Sequence, residues 1–83
     1  MGQREKLLQQ ARRTPHGLRF GEFETLMRQC GWVFDHQTGS HRIWYSPGRA
    51  RISAQCGRDG KAKGYQVRQF LNLLEGEEPH EEE

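Results

Sequence analysis

Apolar residues fall in short, separated groups along the chain, and each group has its own period. Residues 4 to 12 (REKLLQQAR) are helix formers around a single apolar pair, Leu7 and Leu8. They predict a short lead-in helix, broken by Thr14-Pro15-His16-Gly17. Phe20, Phe23, Met27 and Cys30, supported by Leu26, then follow helical spacing, and Gly31 stands at the expected left-handed cap. From Trp32 to Gln37 the pattern changes to alternation among β-formers, which predicts a strand. Thr38-Gly39 reads as a turn, His41 to Ser46 as a second strand, Pro47-Gly48 as another turn, and Ala50 to Gln55 as a third strand. Gly57-Arg58-Asp59-Gly60 is a loop. Val67, Phe70, Leu71 and Leu74 mark one face of a final helix.

This order predicts an α+β fold: helix, three-stranded antiparallel sheet, helix, preceded by a short N-terminal helix. Double-stranded-RNA-binding domains share it. Three segments are expected: a lead-in helix and turn at residues 1–17, a folded domain at 18–75, and a disordered acidic tail at 76–83 with nothing apolar to bury. A chain of 83 residues holds one domain. No stretch approaches the roughly 18 apolar residues of a membrane span. The N-terminus lacks the apolar core of a signal peptide. Cys30 and Cys56 are too few for a disulfide framework, so free thiols in the cytoplasm are expected.

Charge sharpens the picture. The overall +2 conceals an asymmetry, because all thirteen Lys and Arg but only five of the eleven acidic residues lie in residues 1–74, a local balance of +8. Such an excess suits a polyanion or an acidic partner protein.

His41 is the leading candidate for chemistry. It follows Gly39-Ser40, where glycine permits a sharp turn, and precedes Arg42, a side chain suited to phosphate. A histidine can serve as general base or acid near neutral pH. RNA supplies its own nucleophile, the 2′-hydroxyl, so a site that positions a phosphate and moves one proton needs no metal and no cofactor. Alternation leaves open which sheet face His41 takes. His41, Ile43 and Tyr45 form one set and Arg42, Trp44 and Ser46 the other, and each holds a large apolar residue. A bulge at Gly39-Ser40 could decide it.

Lys61-Ala62-Lys63-Gly64 leads into the last helix, where cations beside unpaired N–H groups suggest an expected anion. Arg68 lies one turn further on, and Tyr65 could either stack on a base or cap the core. Gly57, Gly60 and Lys61 lack the glycine spacing of a phosphate loop, and Ala62 stands where a magnesium-holding Ser or Thr would be needed. Cys30, His36, His41 and Cys56 lack the close pairing of a zinc site.

Gly39-Ser40-His41-Arg42-Ile43-Trp44 followed by Pro47, with Leu18-Arg19-Phe20 through Gly31-Trp32 upstream and Asp59-Gly60-Lys61-Ala62-Lys63 then Tyr65 to Leu71 downstream, resembles the HicA family of toxins. The match spans roughly residues 18 to 75. Gly64 departs from it, standing where one branch of the family often has proline. The resemblance implies a double-stranded-RNA-binding type of fold and a ribosome-independent messenger-RNA endonuclease, encoded beside a HicB-like antitoxin that covers the active site. It implies His41 as the catalytic residue, with Gly39 and Ser40 as its support. Arg42, Lys61, Lys63 and Arg68 are the expected RNA-binding residues. The alternatives are a non-catalytic RNA-binding module on the same fold, or an interaction protein whose basic face serves only an acidic partner.

Overall fold

In the computed structural model, which describes residues 2–77, the apolar groups of the sequence converge on one core. Helix α1 (Gln3–Arg13) is followed by a 3-10 turn (Pro15–Gly17), helix α2 (Phe20–Gln29), strands β1 (Val33–Thr38), β2 (His41–Tyr45) and β3 (Arg51–Gln55), and helix α3 (Gly64–Glu77). The strands form an antiparallel sheet in the order β1-β2-β3. This is the expected α+β architecture, with the expected element order. Helix α3 continues through Gly76 to Glu77, and the rest of the expected tail, residues 78–83, lies outside the described residues.

The core forms where the helices meet one face of the sheet. Phe23, Leu26 and Met27 of α2, Val67, Phe70 and Leu74 of α3, and Trp44, Ile52 and Ala54 of the sheet are buried together with Leu18, Trp32 and Ala62. Phe70 is central: its ring meets Phe23 and Trp32 edge to face, with centroids 5.8 Å and 5.4 Å apart. Helix α1 is part of this core, since Leu7, Leu8 and Ala11 are buried in it. Its propensity alone would leave an 11-residue helix marginal; packing against α2 and α3 supplies the rest.

The connections follow local chemistry. Gly31 has φ +89° at the end of α2, the conformation its cap position requires, and a Cβ there would stand 3.2 Å from Pro47 Cγ. Gly39 has φ +61° in the two-residue turn Gly39-Ser40 that joins Thr38 to His41, so glycine sits where that hairpin needs it. Gly64 packs against the 3-10 turn. A Cβ at that position would lie 3.3 Å from His16 Cβ, which gives a local reason for glycine there.

Two features of the sheet set up the site. The bulge lies in β1 and not at Gly39-Ser40. Phe34 pairs with Trp44 and His36 with Ile43, leaving Asp35 as the extra residue. The insertion reverses the alternation, so that Gln37 meets Arg42 and Thr38 meets His41. At the other edge, Gln66 of α3 reaches β3 with its side-chain amide. It accepts the Gln55 backbone N–H at 2.9 Å and donates to the Ser53 carbonyl at 2.6 Å. Gln66 is 5% exposed, and these bonds satisfy a buried amide while holding α3 against the strand.

Candidate active site

Residues opposite one another in an antiparallel pair share a face. Trp44 lies opposite Ile52, and Arg42 opposite Ala54, both buried, so Arg42 and Trp44 belong to the helix side of the sheet. His41 lies opposite Gln55, Ile43 opposite Ser53, and Tyr45 opposite Arg51. These residues form the other face, and His41 is exposed on it. The question that alternation left open is thereby answered: the helices claim Trp44, and His41 faces outward.

The turn before His41 is held from both neighbouring strands. Gln37 donates through Nε2 to the Gly39 carbonyl at 3.0 Å, and Gln55 donates through Nε2 to Ser40 Oγ at 3.2 Å. Gly39 and Ser40 form the turn that leads directly into His41. His41 lines an open depression of about 370 Å³ with Arg51, Ser53, Tyr65, Gln66 and Gln69. The first three are strand residues of one face, and the last three come from the start of α3. Neither His41 nor Arg51 has a hydrogen-bonded or ionic side-chain partner among the described residues.

None of the expected RNA-binding residues lines this depression. Arg42 is on the opposite face, where its Nε donates to Glu24 Oε2 and its Nη1 to Gln37 Oε1 at 3.1 Å. Its guanidinium also lies 4.2 Å from the Phe34 ring centroid. Glu24 Oε2 accepts the Trp44 indole N–H at 3.1 Å as well, so one carboxylate ties β2 to α2. Lys61 is exposed in the segment before α3, its backbone N–H donated to Asp59 Oδ1 at 3.0 Å. Lys63 is half-buried, and its carbonyl accepts the N–H groups of Gln66 and Val67. Neither lysine lines the His41 depression. Arg68 lines a second depression, of about 310 Å³, with Arg12, Pro15, Leu71, Asn72 and Glu75. Tyr65 is 63% exposed, which excludes a core-capping role and leaves its ring open to solvent.

Sequence reading missed Arg51, Ser53, Gln66 and Gln69. The signal for Arg51 and Ser53 was the strand pairing: once Pro47-Gly48 is taken as the hairpin connection, every second residue of β3 falls on the face of His41. The approach of Gln66 and Gln69 depends on how α3 returns along the sheet edge, which no local pattern encodes.

Among the described residues no group of three or more His, Cys, Asp or Glu side chains is placed to hold a metal, and no helix is long and apolar enough to cross a membrane. The family described as the HicA toxin of bacterial toxin-antitoxin matches residues 20–75. No curated protein and no solved structure matches the chain.

Proposed function

The chain belongs to the HicA toxin family, and from that premise we propose that it is an endoribonuclease acting on messenger RNA, with His41 as its catalytic residue. The observation that carries this reading is the exposure of His41 in a depression shared with Arg51, on a sheet face whose preceding turn is pinned by Gln37 and Gln55.

The reaction follows from RNA chemistry. His41 takes the proton of a 2′-hydroxyl as general base, and the 2′-oxygen attacks the adjacent phosphorus. The bond from phosphorus to the 5′-oxygen breaks, and that oxygen leaves with a proton from water or from the imidazolium acting as acid. The products are a 2′,3′-cyclic phosphate and a 5′-hydroxyl. The nucleophile and the proton transfers are supplied by the RNA, one imidazole and water, and a positioned proton acceptor contributes about 10²–10⁴-fold. Lys61, Lys63 and Arg68 would meet phosphates of the strand beyond the depression, and Arg42 would do so only by leaving Glu24.

Membership of the family places the chain in a toxin–antitoxin pair. The partner we propose is a HicB-like protein that covers the face carrying His41, in the cytoplasm where messenger RNA is found. The local excess of basic residues favours an acidic covering surface.

Purified protein incubated with messenger RNA tests this reading. Cleavage is expected to persist in excess EDTA, because the 2′-hydroxyl route calls for no metal-bound nucleophile. Activity lost with EDTA and restored by magnesium or zinc would overturn the mechanism. Binding without cleavage under all conditions would identify a non-catalytic RNA-binding module instead.

A further inference from the structure

Attack on a phosphodiester gathers negative charge on the phosphoryl oxygens, so a site that only moves a proton is incomplete without a cation near the phosphorus. Arg42, beside His41 in sequence, points to the other face and is paired with Glu24. Lys61, Lys63 and Arg68 do not line the depression. Arg51 does line it. Arg51 pairs with Tyr45 and His41 with Gln55, so the two side chains share a face, offset by four residues along adjacent strands. That offset is roughly 13 Å of backbone rise, and both side chains line the same depression across it. No carboxylate among the described residues is paired with Arg51.

Tyr65, at the start of α3, lines the same depression. Its ring is open to solvent, and its hydroxyl oxygen accepts a long hydrogen bond of 3.4 Å from Gln66 Nε2, which is itself anchored to β3. An exposed aromatic ring held at its edge, beside an unpaired guanidinium, matches the two halves of a nucleotide: a planar base and an anionic phosphate.

Building on the proposed cleavage at His41, we propose that Arg51 and Tyr65 form a nucleotide subsite beside it, Arg51 holding a phosphate and Tyr65 stacking on the flanking base of a single-stranded RNA. A base within an A-form duplex is stacked on its neighbours and cannot offer its face to Tyr65. The subsite therefore selects unpaired RNA, although the element order is that of a double-strand-binding domain.

The test uses a short, fluorescently labelled single-stranded RNA of mixed sequence and the same RNA annealed to its complement. Binding is measured in a His41→Ala background at several salt concentrations, and cleavage is measured with His41 intact. The single strand is expected to bind more tightly than the duplex. Arg51→Ala is expected to flatten the log–log salt dependence of affinity by about 0.7, one phosphate contact on a single strand. Arg51→Lys should restore that slope, but only part of the cleavage rate, because an ammonium cannot reproduce the bidentate fork. Tyr65→Ala should weaken binding roughly five- to a hundred-fold, and Tyr65→Phe should keep most of the affinity. Both positions are exposed, so a urea midpoint close to that of the parent protein verifies that the fold is intact. If Arg51→Ala and Tyr65→Ala leave affinity and slope unchanged while Lys61→Ala and Lys63→Ala alter them, the subsite is wrong. The His41 reading would survive that result as long as His41→Ala abolishes cleavage. Full cleavage by His41→Ala, with binding lost in Arg51→Ala, would retain the subsite and remove His41 from the chemistry.

Discussion

Replacing His41 with alanine is expected to lower RNA cleavage by about 10²–10⁴-fold, the usual contribution of a positioned proton acceptor. The fold should be unaffected. His41 is exposed, and its side chain has no hydrogen-bonded or ionic partner among the described residues. Surface positions of that kind change stability by no more than about 0.5 kcal/mol. RNA affinity should change little, because the imidazole is assigned to proton transfer and the phosphate to other groups. The expected signature is therefore a protein that folds and binds but does not cut, and whose induced expression no longer fragments messenger RNA or halts growth. Arg42→Ala makes an informative contrast. It leaves Glu24 without its ion pair at a partly buried position, so it should lower stability first and activity only in consequence. A folded His41→Ala protein that cleaves at the parent rate would end the catalytic assignment.

Phe70→Ala is expected to have the largest effect on stability. The ring is fully buried and packs edge to face against Phe23 and Trp32, joining α3 to α2 and to the residue that leads into β1. Truncating a buried phenylalanine costs about 3–5 kcal/mol, from lost transfer energy and the cavity left behind. Domains are stable by only about 5–15 kcal/mol in total, so the variant should be close to unfolding at room temperature. Its urea midpoint should fall by roughly 1 M or more with a similar slope. Phe34→Ala is the matched control, because that ring meets Trp44 at a centroid distance of 5.7 Å but is 36% exposed. Equal midpoints for the two variants would show that the core is not organised around Phe70.

The elements were legible in the sequence because each has a clean local signal. The apolar spacing of α2 and α3, the glycine after α2 and the turn residues between strands all act over a few positions. The faces were less legible. Ile43 and Trp44 are both large, apolar and buried, so alternation within β2 could not say which one meets the helices. Asp35, whose insertion reverses the parity of β1, carries no mark of a bulge in its neighbours. The same limit explains the site. Arg42 attracted attention by standing next to His41, but neighbours along a strand point to opposite faces. Arg51, ten residues away in sequence, shares the face of His41 through strand pairing, a long-range fact. Helix α1 offered only propensity and one leucine pair, and its place in the core was decided by what packs against it.

The contact between Gln66 and β3 bears on how the sheet can grow. An edge strand ordinarily invites another chain to pair with its free backbone groups. On β3 the Gln55 N–H and the Ser53 carbonyl are already bonded to a helix side chain, and just beyond the strand Cys56 pairs with Ala62. A strand from another molecule finds part of that edge taken and meets a freer one at β1, which no strand covers on its outer side among the described residues. Two copies joined along β1 would make one sheet of double width, with a Gln66-capped border on either side. Each group of β3 held by Gln66 is one fewer that an incoming strand could use to extend the sheet on that side.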